Sequence, residues 1–194
     1  MIRYCTFRRK QLLRFDATKL VLSHAGDSPV VGNLGPTSDE LYHAGHRDRN
    51  FYTYGNMGLC SSIALGMALS TDDKIISLDG DGSLLMNLGT IATIGREKPE
   101  NLVVLVWDNE AWGQTGGQPS HTSTNADLEE IANSCGITKT ATVGDLETLE
   151  DVFSRAMAEP GPWFIVAKIE EPTNTCPWRR WSRNLRCTGL GIRT

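Results

Sequence analysis

The sequence predicts an α/β fold, a doubly wound and mainly parallel sheet with helices on both faces. Two observations predict it. Short β-branched runs such as LVVLVW at residues 102–107 are apolar at every position, which marks strands covered on both faces. These runs alternate along the chain with stretches of helical spacing, the order that builds a parallel layer. At 194 residues the chain has the size of one ordinary domain, and no repeat or low-complexity linker divides it.

The elements follow in order. Leu12, Leu13 and Phe15 open an amphipathic helix, and a strand is expected over 28–32. A helix over 59–69 comes next, unusually small-sided through Gly58, Ser61, Ser62, Ala64, Gly66 and Ala68. Glycine weakens helix propensity by about 1 kcal/mol, so those residues point to close packing on a sheet or on another subunit. A strand over 74–78, a helix over 83–94 and the strand over 102–107 complete the centre. Asp127, Glu129 and Glu130 suit the dipole of a helix over 127–135. A strand over 139–143, a helix over 146–158 and a strand over 163–169 end the pattern. Residues 1–171 are read as a single domain.

Composition narrows the function. Hydrophobic content of 40% with 22% charged residues is that of a soluble globular protein. No run is long enough to span a membrane. Five cysteines without a CxxC pair argue against a zinc site and against a secreted disulfide framework, so a cytoplasmic location is expected. The N-terminus is basic and lacks the features of a secretory signal, while a mitochondrial presequence stays open. Of the 19 basic residues five arginines lie in 172–194, a stretch without acids; against 23 acids the rest of the chain is net −9. That balance offers nucleic acid no basic face. The Trp- and Arg-rich tail is read as a disordered extension.

In a doubly wound sheet ligands bind outside the carboxyl ends of strands. The loop after the strand at 74–78 reads Asp79-Gly80-Asp81-Gly82-Ser83. A dinucleotide fingerprint would need glycine at Leu85, and a calcium loop would need glycine at Leu84 and glutamate at Thr90. Both fail. A diphosphate–Mg²⁺ site fits better: Gly80 and Gly82 let the backbone approach an anion, and the N–H groups of Gly82 and Ser83 open a helix. Asp81 supplies a hard oxygen, and Asn109 stands at the next strand end, 28 residues on, in Asp108-Asn109-Glu110-Ala111-Trp112-Gly113.

Gly80-Asp81-Gly82-Ser83 followed by Asp108-Asn109 resembles the GDG…NN signature of thiamine-diphosphate enzymes. The stretches GDGSLLMNLGTIATIG, DNEAWGQTGGQPSHT and RNFYTYGNMGLCSSIALGMAL resemble the sulfopyruvate and phosphonopyruvate decarboxylase branch, and within it the small β subunits. The likeness runs from about residue 30 to 171. It implies that Asp81, Asn109 and the carbonyl of Ala111 ligate Mg²⁺. It also implies that Gly55-Asn56-Met57 grips the pyrimidine, with the Gly55 carbonyl accepting from the 4′-amino group and Met57 wedged between the two rings. The same resemblance implies that Trp112 and Gly113 belong to the cofactor shell. Asp108 departs from the family pair at a position that is usually not a ligand.

The resemblance implies more than this chain holds. The glutamate that activates the cofactor belongs to a separate pyrimidine-binding domain, for which no residues remain here. A pyrimidine-binding α subunit is therefore the expected partner, in a two-chain 2-keto acid decarboxylase acting on sulfopyruvate. Phosphonopyruvate decarboxylase, a carboligase half and a catalytically silent regulatory protein are the alternatives. His121, in the donor-rich segment GGQPSHT, either orients the anionic substrate or relays a proton, or is a surface histidine. Asn33 is a further residue on the substrate side.

Overall fold

The computed structural model describes residues 12–170. The expectations for the basic N-terminal segment and for the tail at 172–194 lie outside the described residues. Among the described residues, seven α-helices and eight strands follow one another: α1 (Arg14–Ala25), β1 (Val30–Gly32), α2 (Pro36–Gly45), β2 (Asn50–Tyr52), α3 (Cys60–Ala68), β3 (Ile75–Gly80), α4 (Asp81–Leu85), α5 (Gly89–Glu97), β4 (Leu102–Asp108), the short β5 (Ala111–Trp112) and β6 (Gln118–Pro119), α6 (Leu128–Ser134), β7 (Lys139–Val143), α7 (Leu146–Ala158) and β8 (Trp163–Lys168). Six of the strands form one sheet in the order β2-β1-β3-β4-β8-β7, parallel throughout. The doubly wound α/β class is the one the strand pattern predicts.

Alternate strand residues feed two cores. Ile76, Leu78, Val103, Leu105, Trp107 and Ile165 meet α1, α2 and α7 on one face. Ile75, Val104, Val106, Phe164 and Val166 meet α3 to α6 on the other. The inner strands β3, β4 and β8 are therefore dressed on both sides, which is why their runs carry no polar alternation. Asp127 caps α6 by accepting from the N–H groups of Glu129 and Glu130 at 3.0 and 3.1 Å. Asp145 caps α7 through Thr148 N–H at 2.9 Å. Such caps contribute about 1 kcal/mol each.

Three expectations are corrected. First, α2 and β2 were not anticipated: β2 is three residues long and only half apolar, too short to show a period. Second, the single helix expected over 83–94 is two, because the chain turns at residues 86–88. There Asn87 sends Nδ2 to the carbonyl of Gly58 at 3.2 Å and to Ser62 Oγ at 3.1 Å, which ties the turn to the start of α3. Third, β3 extends to Gly80, so Asp79 and Gly80 are strand residues rather than loop. The small side chains of α3 have a packing reason where they face the sheet: Cys60, Ser61, Ala64 and Ala68 are all buried. Gly66 is different, since a Cβ there would meet nothing within 4 Å.

Candidate functional site

The chain runs from β1 to its outer neighbour β2, then crosses back to β3 on the inner side. This reversal opens a crevice at the carboxyl ends of β1 and β3, the place where open α/β sheets bind ligands. The observed cleft lies there. It is lined by Asn33, Pro36 and Thr37 after β1, by Met57, by Gly80–Ser83 at the end of β3, and by Trp107, Asn109 and residues 111–115 beyond β4. Arg14 closes it from the start of α1. Of the residues anticipated from sequence, the cleft gathers Met57, Gly80, Asp81, Gly82, Ser83, Asn109, Ala111, Trp112 and Gly113, as well as Asn33. Gly55 and Asn56 are exposed beside it, and His121 sits exposed on a 3₁₀ turn without lining it.

Strand register brings the two motifs together. Gly80 pairs with Trp107 across β3 and β4, so Asp81 and Asn109 emerge at neighbouring strand ends. Gly82 must be glycine: a Cβ would stand 2.8 Å from Trp112 Cε3, so the indole ring lies directly over the turn. Ser83 Oγ accepts from Gly58 N–H at 2.9 Å and joins the turn to the Met57 segment. Behind them Asp79, fully buried, accepts from Ser61 Oγ at 2.7 Å and from Ser61 N–H at 3.2 Å at the start of α3. Burial raises the pKa of its carboxyl, while the hydrogen bonds from Ser61, Ser83 and Gly80 oppose the rise.

Asp81 is only 3% exposed, and its surroundings were not legible in the motif. Ser120 Oγ donates to Asp81 Oδ2 at 2.5 Å, and Thr122 Oγ1 lies 3.2 Å from the same oxygen. Thr122 Oγ1 is also 2.7 Å from Asp108 Oδ1, so one hydroxyl bridges two buried acids. Burial raises the Asp81 pKa, with the Asp108 charge adding to it and the Ser120, Gly82 and Thr122 hydrogen bonds opposing. Asp108 in turn forms an ion pair with Lys168 Nζ at 2.7 Å. The segment around His121 thus enters the site through its neighbours Ser120 and Thr122. No local pattern marks Ser120 and Thr122, because the segment lies on a 3₁₀ turn without a strand period.

A buried ion pair completes the wall. Arg14 Nε and Nη2 donate to Glu40 Oε2 and Oε1 at 2.9 and 3.0 Å, with both side chains buried. Among the described residues that line the cleft, Arg14 is the sole cation and Asp81 the sole acid, and no glutamate is present.

Residues 31–167 match the family model for the thiamine pyrophosphate enzyme C-terminal TPP binding domain. The chain belongs to the thiamine pyrophosphate enzyme family. It is 47% identical over 164 residues to the sulfopyruvate decarboxylase subunit beta of Methanocaldococcus jannaschii, covering 84% of this chain and 87% of that one. It is 43% identical over 164 residues to the sulfopyruvate decarboxylase of Methanosarcina acetivorans, where 84% of this chain corresponds to 42% of a longer one. Among solved structures, the thiamine diphosphate-dependent 4-hydroxybenzoylformate decarboxylase of Rhodococcus jostii superposes with a TM-score of 0.71 at 21% identity, over 88% of this chain and 35% of that one. This last likeness bears on the fold alone. No helix among the described residues is long and apolar enough to cross a membrane.

The residues present fit the diphosphate end of the family's cofactor. Gly80 and Gly82 put no side chain of their own on the turn, with Asn33 beside the first and the Trp112 indole packed on the second. Asp81 and Asn109 add the carboxylate and amide oxygens that a hard cation prefers.

Proposed function

We propose that this thiamine pyrophosphate enzyme chain is the diphosphate-binding subunit of a two-chain 2-keto acid decarboxylase that converts sulfopyruvate to sulfoacetaldehyde and CO₂. One observation carries the reading: the turn after β3, the turn after β4 and Met57 meet at one cleft that no described glutamate lines. The anchoring half of a thiamine site is here, and among the described residues no glutamate stands in the cleft to activate the cofactor. The relatives named as β subunits, and the longer single chain in which the matching segment is less than half, support a partner that supplies the rest.

Asp81, Asn109 and the Ala111 carbonyl would hold Mg²⁺ against the diphosphate, and the N–H groups of Gly82 and Ser83 would face its oxygens. When bound, the cofactor supplies the nucleophilic carbon and the electron sink that allow a carboxylate to leave as CO₂. The chain's own residues position and shield. Met57 gives the cleft an apolar ridge between its two ends. Trp112 lies over the Gly82 turn. The carbonyl of Gly55, an exposed residue near Met57, would accept from the pyrimidine amino group. His121, exposed in the single chain, is kept as a residue that meets substrate at the face completed by the partner. A proton replaces the departing carboxylate, and its donor is assigned to the partner side or to His121.

Co-expression with a pyrimidine-domain partner, followed by CO₂ release from sulfopyruvate, phosphonopyruvate and pyruvate, tests the proposal. Turnover of sulfopyruvate by the complex and by neither chain alone is expected. Appreciable turnover by this chain alone would refute the split site, and preference for another acid would reassign the substrate.

A further inference from the structure

Lys168 is the last residue of β8 and pairs in register with Asp108, the last residue of β4. Its Nζ reaches Asp108 Oδ2 at 2.7 Å and Glu110 Oε1 at 3.1 Å. Those two acids flank Asn109. Glu110 has φ = 59°, a left-handed conformation that a residue with a Cβ adopts at a steric penalty. That kink turns the chain so that Asn109 and Ala111 both face the cleft. Two further bonds hold it: Glu110 N–H donates to Asp108 Oδ1 at 3.0 Å and Ala111 N–H to Asn109 Oδ1 at 3.2 Å. Asp108 is 2% exposed.

From this geometry we infer that Lys168 is a positioning residue. It clamps the carboxylates on both sides of Asn109 and so holds the strained turn that presents Asn109 and the Ala111 carbonyl to the metal. The inference rests on the reading of these two residues as metal ligands. Lys168 itself does not line the cleft and acts through the turn. It also keeps Asp108 and Glu110 engaged with itself, so that neither carboxylate competes for the cation. Groups that orient metal ligands in this way typically alter metal affinity by about 10- to 100-fold when removed.

The test uses the full chain with thiamine diphosphate and Mg²⁺, followed by tryptophan fluorescence, because Trp112 lines the cleft. K168M is expected to raise the Mg²⁺ concentration needed for half-maximal cofactor binding by about tenfold, while K168R stays near wild type. Since K168M leaves Asp108 buried without its partner, D108N/K168M is measured beside it. That double variant is expected to regain thermal stability and still require more Mg²⁺, because the Glu110 half of the clamp is gone. Mg²⁺ affinity that returns together with stability, or that never changes, would overturn the inference and leave a purely structural ion pair. Hydrogen exchange on the cofactor-free chain separates this from the functional proposal. Faster exchange at the Glu110 and Ala111 amides in D108N/K168M than in D108N supports the clamp even if wild type binds no cofactor. Equal rates would refute it.

Discussion

The two ends of the parallel sheet treat polar groups in opposite ways. At the amino end, the more sheltered polar side chains serve the backbone, and the ion pairs, such as Arg49 with Asp73, stand in solvent. Asn101 Nδ2 lies 3.1, 2.7 and 2.9 Å from the carbonyls of Ala68, Thr71 and Asp73, and Lys74 Nζ donates to the Glu159 carbonyl at 2.6 Å. At the carboxyl end, side chains gather on one another. Asp79, Asp81 and Asp108 are 0%, 3% and 2% exposed, held by hydroxyls and by Lys168, with Arg14 and Glu40 buried beside them. Buried charge of this kind is weak evidence for stability. The difference teaches which end was shaped for folding and which for a ligand.

That contrast can be broken most sharply at Asp81. Asp81→Ala removes a buried carboxylate from the carboxyl end, so Mg²⁺-dependent cofactor binding should vanish while the thermal midpoint holds or rises. Calorimetric titration and a melting curve check both halves; an unchanged titration would refute the site. Next in size is Gly95→Ala, where the new Cβ would stand 1.9 Å from the Cys135 carbonyl oxygen between α5 and α6. Overpacking of this kind costs about 3 kcal/mol. Denaturant unfolding should show the loss, and cofactor affinity of the folded fraction should not move.

Asn101→Ala sharpens the comparison from the same end. Losing its bonds to three partly hydrated carbonyls should destabilise the chain by roughly 1.5 kcal/mol with no effect on cofactor binding. A change in affinity would mean the two ends are coupled. The smallest effect is chemical. Cys60 is fully buried under β1 and β3, where burial first and the Asp79 charge second raise its thiol pKa. A raised pKa leaves less thiolate, so mild alkylation near pH 8 should mark the partly exposed Cys135 and spare Cys60 until the chain unfolds. Peptide mapping reads the ratio.

These regions also differ in how far the sequence disclosed them. β3, β4 and β8 were legible because a strand covered on both faces cannot hide its apolar run. β2 was not, having three residues and an exposed Phe51. The break between α4 and α5 was masked by Leu84, Leu85, Leu88, Ile91 and Ile94, whose spacing continues through it. It comes from Asn87 reaching back to Gly58, a contact across 29 residues. In the cleft, Asp81 and Asn109 stood out because a motif and a strand-end rule pointed to the same place. Ser120, Thr122 and Lys168 did not. Their roles depend on sheet register and on a loop folding back over β4, and neither leaves a local pattern.

The hydroxyls of Ser120 and Thr122 both address one oxygen of Asp81. Neither hydroxyl addresses Oδ1. Two uncharged residues some forty positions downstream of the acid thereby make its two oxygens unequal, one tied into the fold and the other turned to a different use.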